Sequence, residues 1–172
     1  MTANLSPEED KFLAEISQRV HWYSTPLLRL RERPGRPPEV DQMGSGTLIS
    51  IEGVYGILTV HHVAENFNGD CALGLILMEK VHRFVVEHDH FTVYHLAIPD
   101  QPSTGPDLSF IRLYNPDIGT IKAHKQFYNL SGTREAVLSS ILPINQGTWI
   151  IWGVPGEQNT IEPPEGDFRH IM

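Results

Sequence analysis

The chain has 172 residues, 40% of them hydrophobic, with three Trp, five Tyr and seven Phe. That is enough apolar material for one packed domain, or for two small barrels sharing an interface, and it excludes a chain disordered throughout. The formal net charge of -8 argues against a nucleic-acid binder, because neutralising phosphates needs a basic surface.

The first ten residues, Met1 to Asp10, carry neither a positive n-region nor an apolar h-region. No apolar stretch approaches the roughly 20 residues of a membrane span. The expectation is a cytoplasmic protein without membrane contact. Ser6-Pro7-Glu8-Glu9 reads as a helix start, with Ser at the N-cap, Pro at the first helical position and Glu9 three residues on. Phe12, Leu13, Ile16 and Val20 follow at helical spacing. Residues 1–24 are therefore expected to form a helical extension packed on the outside of the main domain.

From residue 25 the pattern changes to short β segments bounded by Gly, Pro, Asn and Asp. Candidate strands are Pro26–Arg31, Gly46–Ile51, Gly56–Val60, Ala72–Met78, Phe91–Ile98 (with Phe84–Glu87 as a possible strand before it) and Leu108–Leu113. Glu52-Gly53 reads as a tight hairpin turn. Arg29, Arg31, Arg33 and Arg36, mixed with Pro34, Pro37 and Pro38, read as an exposed basic loop, since no stacking aromatics are interleaved with them. The lone cysteine, Cys71, excludes an internal disulfide framework and reads as a buried thiol in an apolar run. Six antiparallel segments suit a small closed barrel over residues 25–116, which hides its edges by closure. In residues 117–172 only Thr120–Lys125 and Thr148–Val154 read as strands, and the segment from Pro155 to Met172 reads as loop.

Two segments carry the chemistry. Gly44-Ser45-Gly46-Thr47-Leu48-Ile49 is followed, after one turn, by Gly56-Ile57-Leu58-Thr59-Val60-His61-His62-Val63. Downstream lies Gly105-Pro106-Asp107-Leu108-Ser109-Phe110-Ile111-Arg112-Leu113. Together, in this order and spacing, they resemble the trypsin-like (chymotrypsin-fold) serine peptidases over roughly residues 25–155. There, Gly-Ser-Gly precedes a strand ending in Thr-Ala-Ala-His, and Asp-Leu-Ala opens a later barrel strand. The resemblance implies an all-β fold, a six-stranded antiparallel barrel plus an incomplete second barrel, with the N-terminal helix outside it. It implies His62 as general base and Asp107 as its orienting carboxylate. A carboxylate on the far ring nitrogen fixes the tautomer that can take a serine's proton, and it stabilises the imidazolium. His61 stands where the family has a small residue. It is expected to pack structurally and point away from the cleft.

The family's nucleophile lies in a Gly-x-Ser-Gly-Gly segment, and no such segment occurs here. Ser109, Ser131, Ser139 and Ser140 follow Asp107. Ser131 has one flanking glycine and precedes the segment Thr148–Val154 that the family's serine would follow, so it is rejected. Cys71, nine residues after His62 in an apolar run, cannot replace the serine either. Two functions stay open. One is a serine endopeptidase present as a truncated chain that is inactive alone, acting on a peptide or protein substrate once a missing C-terminal segment or partner chain completes it. The other is a non-catalytic, peptidase-like module binding peptides or a partner protein. No cofactor is implied. His82, His88, His90 and His95 cluster in sequence, with His88 and His90 on one face if the segment is a strand. The favoured reading is a solvated polar loop without metal.

Overall fold

The computed structural model describes residues 6–77, 83–98, 105–132 and 134. Helix α1 (Pro7–Tyr23) begins as its sequence dictates. The Ser6 hydroxyl accepts from the Glu9 N–H while the Glu9 carboxylate accepts from the Ser6 N–H, with Pro7 in the first turn. Its apolar stripe does not dock along its length. Phe12 and Leu13 are exposed, and Ile16 and Val20 are only half-buried. Polar bonds fasten the helix at its last turn instead. The Lys125 ammonium donates to the His21 carbonyl at 2.7 Å, and the Gln126 N–H donates to the Trp22 carbonyl. Such bonds to a distant segment leave no trace in hydrophobic periodicity.

The described strands are β1 (Ser24–Arg33), β2 (Arg36–Ile51), β3 (Val54–Thr59), β4 (Ala72–Ile76), β5 (Arg83–Val86), β6 (Phe91–Ala97), β7 (Leu108–Leu113) and β8 (Tyr128–Asn129). They join in one sheet in the order β5-β4-β1-β2-β3-β7-β6, all antiparallel, with the short β8 added parallel to β2. Among the described residues the sheet is not closed by strand pairing, contrary to the expected closed barrel. The two strands that end its path, β5 and β6, are neighbours in the chain, separated by a 3-10 turn at His88–His90. That turn interrupts the ladder where one continuous strand would have paired on both sides.

The basic segment expected as a loop is the far end of the β1–β2 hairpin. Arg33 pairs with Arg36 across Pro34-Gly35, a Pro followed by a Gly at positive φ, the sequence a tight turn asks for. The end of the hairpin is exposed as expected. Its base is not: the Arg29 side chain is mostly buried and bonds Asp41 at 2.7 Å. The β2–β3 turn is Glu52-Gly53, both at positive φ, as a type I′ hairpin requires.

Alternation places the core. Along β7, Ser109, Ile111 and Leu113 face inward. Ile111 and Leu113 join Leu27, Leu48, Ile57, Leu73, Leu75 and Cys71 in the buried cluster, and burial pushes the Cys71 thiol pKa up. Thr120–His124 of the expected strand Thr120–Lys125 are instead the last residues of helix α3 (Asp117–His124), with Lys125 just past its end. Thr120 and Ile121 have strand-like propensity, but Ile118 and Ile121, three apart, both bury on a single helical face. Of the expected second barrel, the described residues contain α3 and β8, and β8 belongs to the first sheet. The expected strand Thr148–Val154, the loop after it, and Met78 lie outside the described residues.

Close backbone approach makes one glycine of the β3–β7 contact irreplaceable. A Cβ on Gly56 would sit 2.3 Å from the Phe110 ring and 2.5 Å from the Ile111 carbonyl oxygen. The backbone oxygen cannot yield without breaking the ladder. Gly56→Ala is therefore expected to destabilise the protein by about 1–3 kcal/mol or more, read from the urea midpoint. An unchanged midpoint would contradict this packing.

Candidate active site

Strand β3 ends at Thr59, and the chain turns at once into the short helix α2 (His61–Ala64), with Val60 at its N-cap. The turn is tied down from two sides. The Thr59 hydroxyl donates to the Ser45 carbonyl at 2.8 Å, joining the end of β3 to the Gly-Ser-Gly segment of β2. Helix α2 also lies directly on Gly44, where a Cβ would come within 2.8 Å of the Val63 side chain. The glycine thus makes room for the helix that carries the histidines.

Strand pairing brings the carboxylate to this turn. In the β3–β7 ladder Thr59 faces Ser109, and continuing that register by two residues sets His61 opposite Asp107. Asp107 accepts three hydrogen bonds there. Its Oδ1 takes the backbone N–H of His61, in a short contact, and that of His62 at 3.3 Å. Its Oδ2 lies 2.5 Å from Nδ1 of the His62 ring. Burial alone would push the Asp107 carboxyl pKa up. The hydrogen bonds from the His62 ring and from both backbone N–H groups, with the nearby His62 charge, outweigh it and hold the carboxyl below its ordinary range. The ionised carboxylate directs the proton of neutral His62 to Nδ1 and leaves Nε2 as the basic nitrogen. The His62 side chain is 70% exposed against 26% for Asp107, so that nitrogen is open to a reacting group.

The two adjacent histidines have different surroundings. His61 is only 8% exposed. Its Nε2 lies 3.1 Å from Glu65 Oε1, and its Nδ1 lies 2.8 Å from Nδ1 of His95. Its ring is held by Glu65 and His95.

Asn66, which the sequence did not single out, holds the turn from behind. Its Nδ2 donates to the carbonyls of His62 and Val63 at 2.9 and 3.2 Å. Its Oδ1 accepts from Arg29, which is paired with Asp41.

Ser131 stands apart. Its hydroxyl accepts from the Glu52 N–H at 2.9 Å, in the turn that opens β3, whereas His62 lies beyond the other end of that strand. At about 3.3 Å per residue, the six residues of β3 separate the two by roughly 20 Å. Ser109 is buried on β7 and bonds His95. Ser139, Ser140 and Ser103 lie outside the described residues, as does His82. The remaining clustered histidines diverge. His88 and His90 sit in the 3-10 turn rather than on a strand. His90 is tied through Nδ1 to Asp117 at 2.8 Å, and His95 turns to His61. The expected solvated loop is thus partly a set of anchored side chains. Among the described residues, no three His, Cys, Asp or Glu side chains are grouped to hold a metal ion. Among the described residues, no helix is long and apolar enough to cross a membrane.

No protein-family model matches the chain, and no curated protein or solved structure matches it.

The lowered pKa of Asp107 fixes the sign of a stability effect. A carboxyl held below its unfolded value stabilises the fold above roughly pH 3.9, and that contribution is lost as pH falls through the folded value. Asp107→Asn should therefore unfold at lower urea than the parent at pH 7, with the gap closing as the pH falls below about 3.9 and through the folded value. A gap that stays constant across that range would show that the carboxylate charge is not what binds the turn.

Proposed function

We propose that this chain carries the base and orienting carboxylate of a trypsin-like serine endopeptidase, with His62 as general base and acid and Asp107 as its partner. The observation that carries the reading is the 2.5 Å contact between His62 Nδ1 and Asp107 Oδ2, made on a turn whose own N–H groups grip the same carboxylate. In acyl transfer, Nε2 would take the proton of a serine hydroxyl as it attacks the peptide carbonyl. It would then hand that proton to the leaving amine, while Asp107 stabilises the imidazolium formed between the two steps. The strand order supports the same reading. The path from β5 to β6 closes into a six-stranded barrel if the segment across His88–His90 counts as one bent strand.

The nucleophile and oxyanion hole come from outside the described residues. The substrate is a peptide or protein, in a cytoplasmic setting that fits a single buried thiol. A second reading, a non-catalytic module that binds a peptide or partner protein, is favoured by one observation. Among the described residues no hydroxyl bonds Nε2 of His62.

Fluorophosphonate labelling separates the two. The isolated 172-residue chain is expected to hydrolyse no peptide and to remain unlabelled. With a segment or partner that supplies an activated serine, labelling should appear. It should vanish in His62→Ala, and Asp107→Asn should lower turnover by about 10⁴-fold. Labelling of Ser131 in the isolated chain would overturn the assignment of the nucleophile elsewhere. Labelling indifferent to His62→Ala would overturn the peptidase reading.

A further inference from the structure

The contact between His61 and His95 is not needed to pair His62 with Asp107, yet it lies directly behind that pair. The two Nδ1 atoms are 2.8 Å apart with the rings edge to face. Two nitrogens can approach that closely only with one proton between them. The surroundings say which ring supplies it. Glu65 accepts from Nε2 of His61, so a neutral His61 has a bare Nδ1, and His95 donates from its own Nδ1. The bare Nε2 of His95 then faces the Asn68 amide nitrogen at 3.5 Å, a weak donor contact. Ser109 Oγ, 3.0 Å from His95 Nδ1, can share that N–H or, with its hydroxyl rotated, donate to a bare nitrogen.

The proton count has an upper limit. One added proton is tolerated, because a charged His95 still donates to His61 and Glu65 offsets the charge. A second proton leaves an N–H on both Nδ1 atoms, facing each other with no lone pair between them, and the contact must open. The charged and titratable groups facing the pair are Glu65 from the end of α2, Asp107 from the loop before β7, and His62 beside it. From β1 and β2, Arg29 and Asp41 are paired with each other and reach Asn66 instead. Glu65 and Asp107 offset added positive charge, and a charged His62 opposes it, so what resists the second proton is the loss of the lone pair between the two Nδ1 atoms. The backbone N–H of His61 is also one of the three donors that hold Asp107. Movement of His61 reaches the carboxylate directly.

We propose that the His61–His95 pair is an acid-sensitive latch on the His62–Asp107 couple: binding of a second proton opens the pair and loosens the N–H grip on Asp107. This rests on the reading of His62 and Asp107 as the general-base couple. It adds regulation to that site, since the couple would be disordered by mild acid as well as neutralised by it.

The test is proton NMR of the chain with ¹⁵N-labelled histidine, following the low-field Nδ1 proton of His62 from pH 8 downward. Charging of His62 alone leaves that proton in place between Nδ1 and Asp107, so its loss in mild acid reports opening. His95→Gln keeps a donor toward His61 but cannot charge, and His61→Ala removes the latch. Both are expected to retain the His62 resonance to a pH lower by about one unit or more. Equal midpoints in the parent and in His95→Gln would overturn the latch while leaving the His62–Asp107 couple standing. Absence of the low-field proton from the parent at every pH would overturn the couple, and the latch with it. If His61→Ala fails to fold, the exposed His95 site carries the comparison alone.

Discussion

One carboxylate ties the turn after β3 to the start of β7. Asp107 accepts from two successive backbone N–H groups and from the ring of the second residue, so backbone and side chain of the same turn are fixed by a single group. The β3–β7 register delivers it there, and the glycine at position 56 lets those strands approach. Behind the turn, Thr59 and Asn66 bind its two ends to β2 and, through Arg29, to β1. Three strands thus converge on a four-residue helix in which every residue but His62 is buried.

This arrangement gives the two neighbouring histidines opposite properties. His62 is turned outward with one nitrogen engaged and the other available. His61 is turned inward with both nitrogens engaged. Exposed placement of a partnered imidazole suits proton transfer, because the ring can change charge without the desolvation cost that a buried position imposes. The carboxylate beside it stays ionised while the ring changes charge, as its lowered pKa implies. A base of this kind is incomplete without a hydroxyl and oxyanion donors. The proposed peptidase and the proposed binding module differ only in whether those arrive.

How much of this the sequence discloses depends on whether the governing contact is local or follows a ladder. The capping box of α1, the Glu52-Gly53 turn, the alternation of Leu108–Leu113 and the positions of His62 and Asp107 are all written in short patterns. Antiparallel register converts the last of these into proximity. The dominant contacts of α1 and α3 are not local. Helix α1 is held by Lys125 and Gln126, about a hundred residues away. Thr120 and Ile121 carry strand propensity, and the core contact that makes the segment helical pairs Ile121 with Ile118, which lies outside the expected strand. The pairing of Arg29 with Asp41 and Asn66, and of His61 with His95, depends on which side chains the sheet places together. No motif announces such pairs, and a cluster of arginines or histidines reads as solvated until the register is known.

The central claim is that Asp107 organises the histidine turn through the backbone as well as through the ring, and amide hydrogen exchange reads this directly. The amides of His61 and His62 begin a helix and have no partner within it, so their protection depends on Asp107. They are predicted to exchange slowly in the parent chain and to exchange fast in Asp107→Ala, while Ile57 and Leu58 in the middle of β3 stay protected. Fast exchange at His61 and His62 in the parent, or slow exchange that survives removal of the carboxylate, would contradict it.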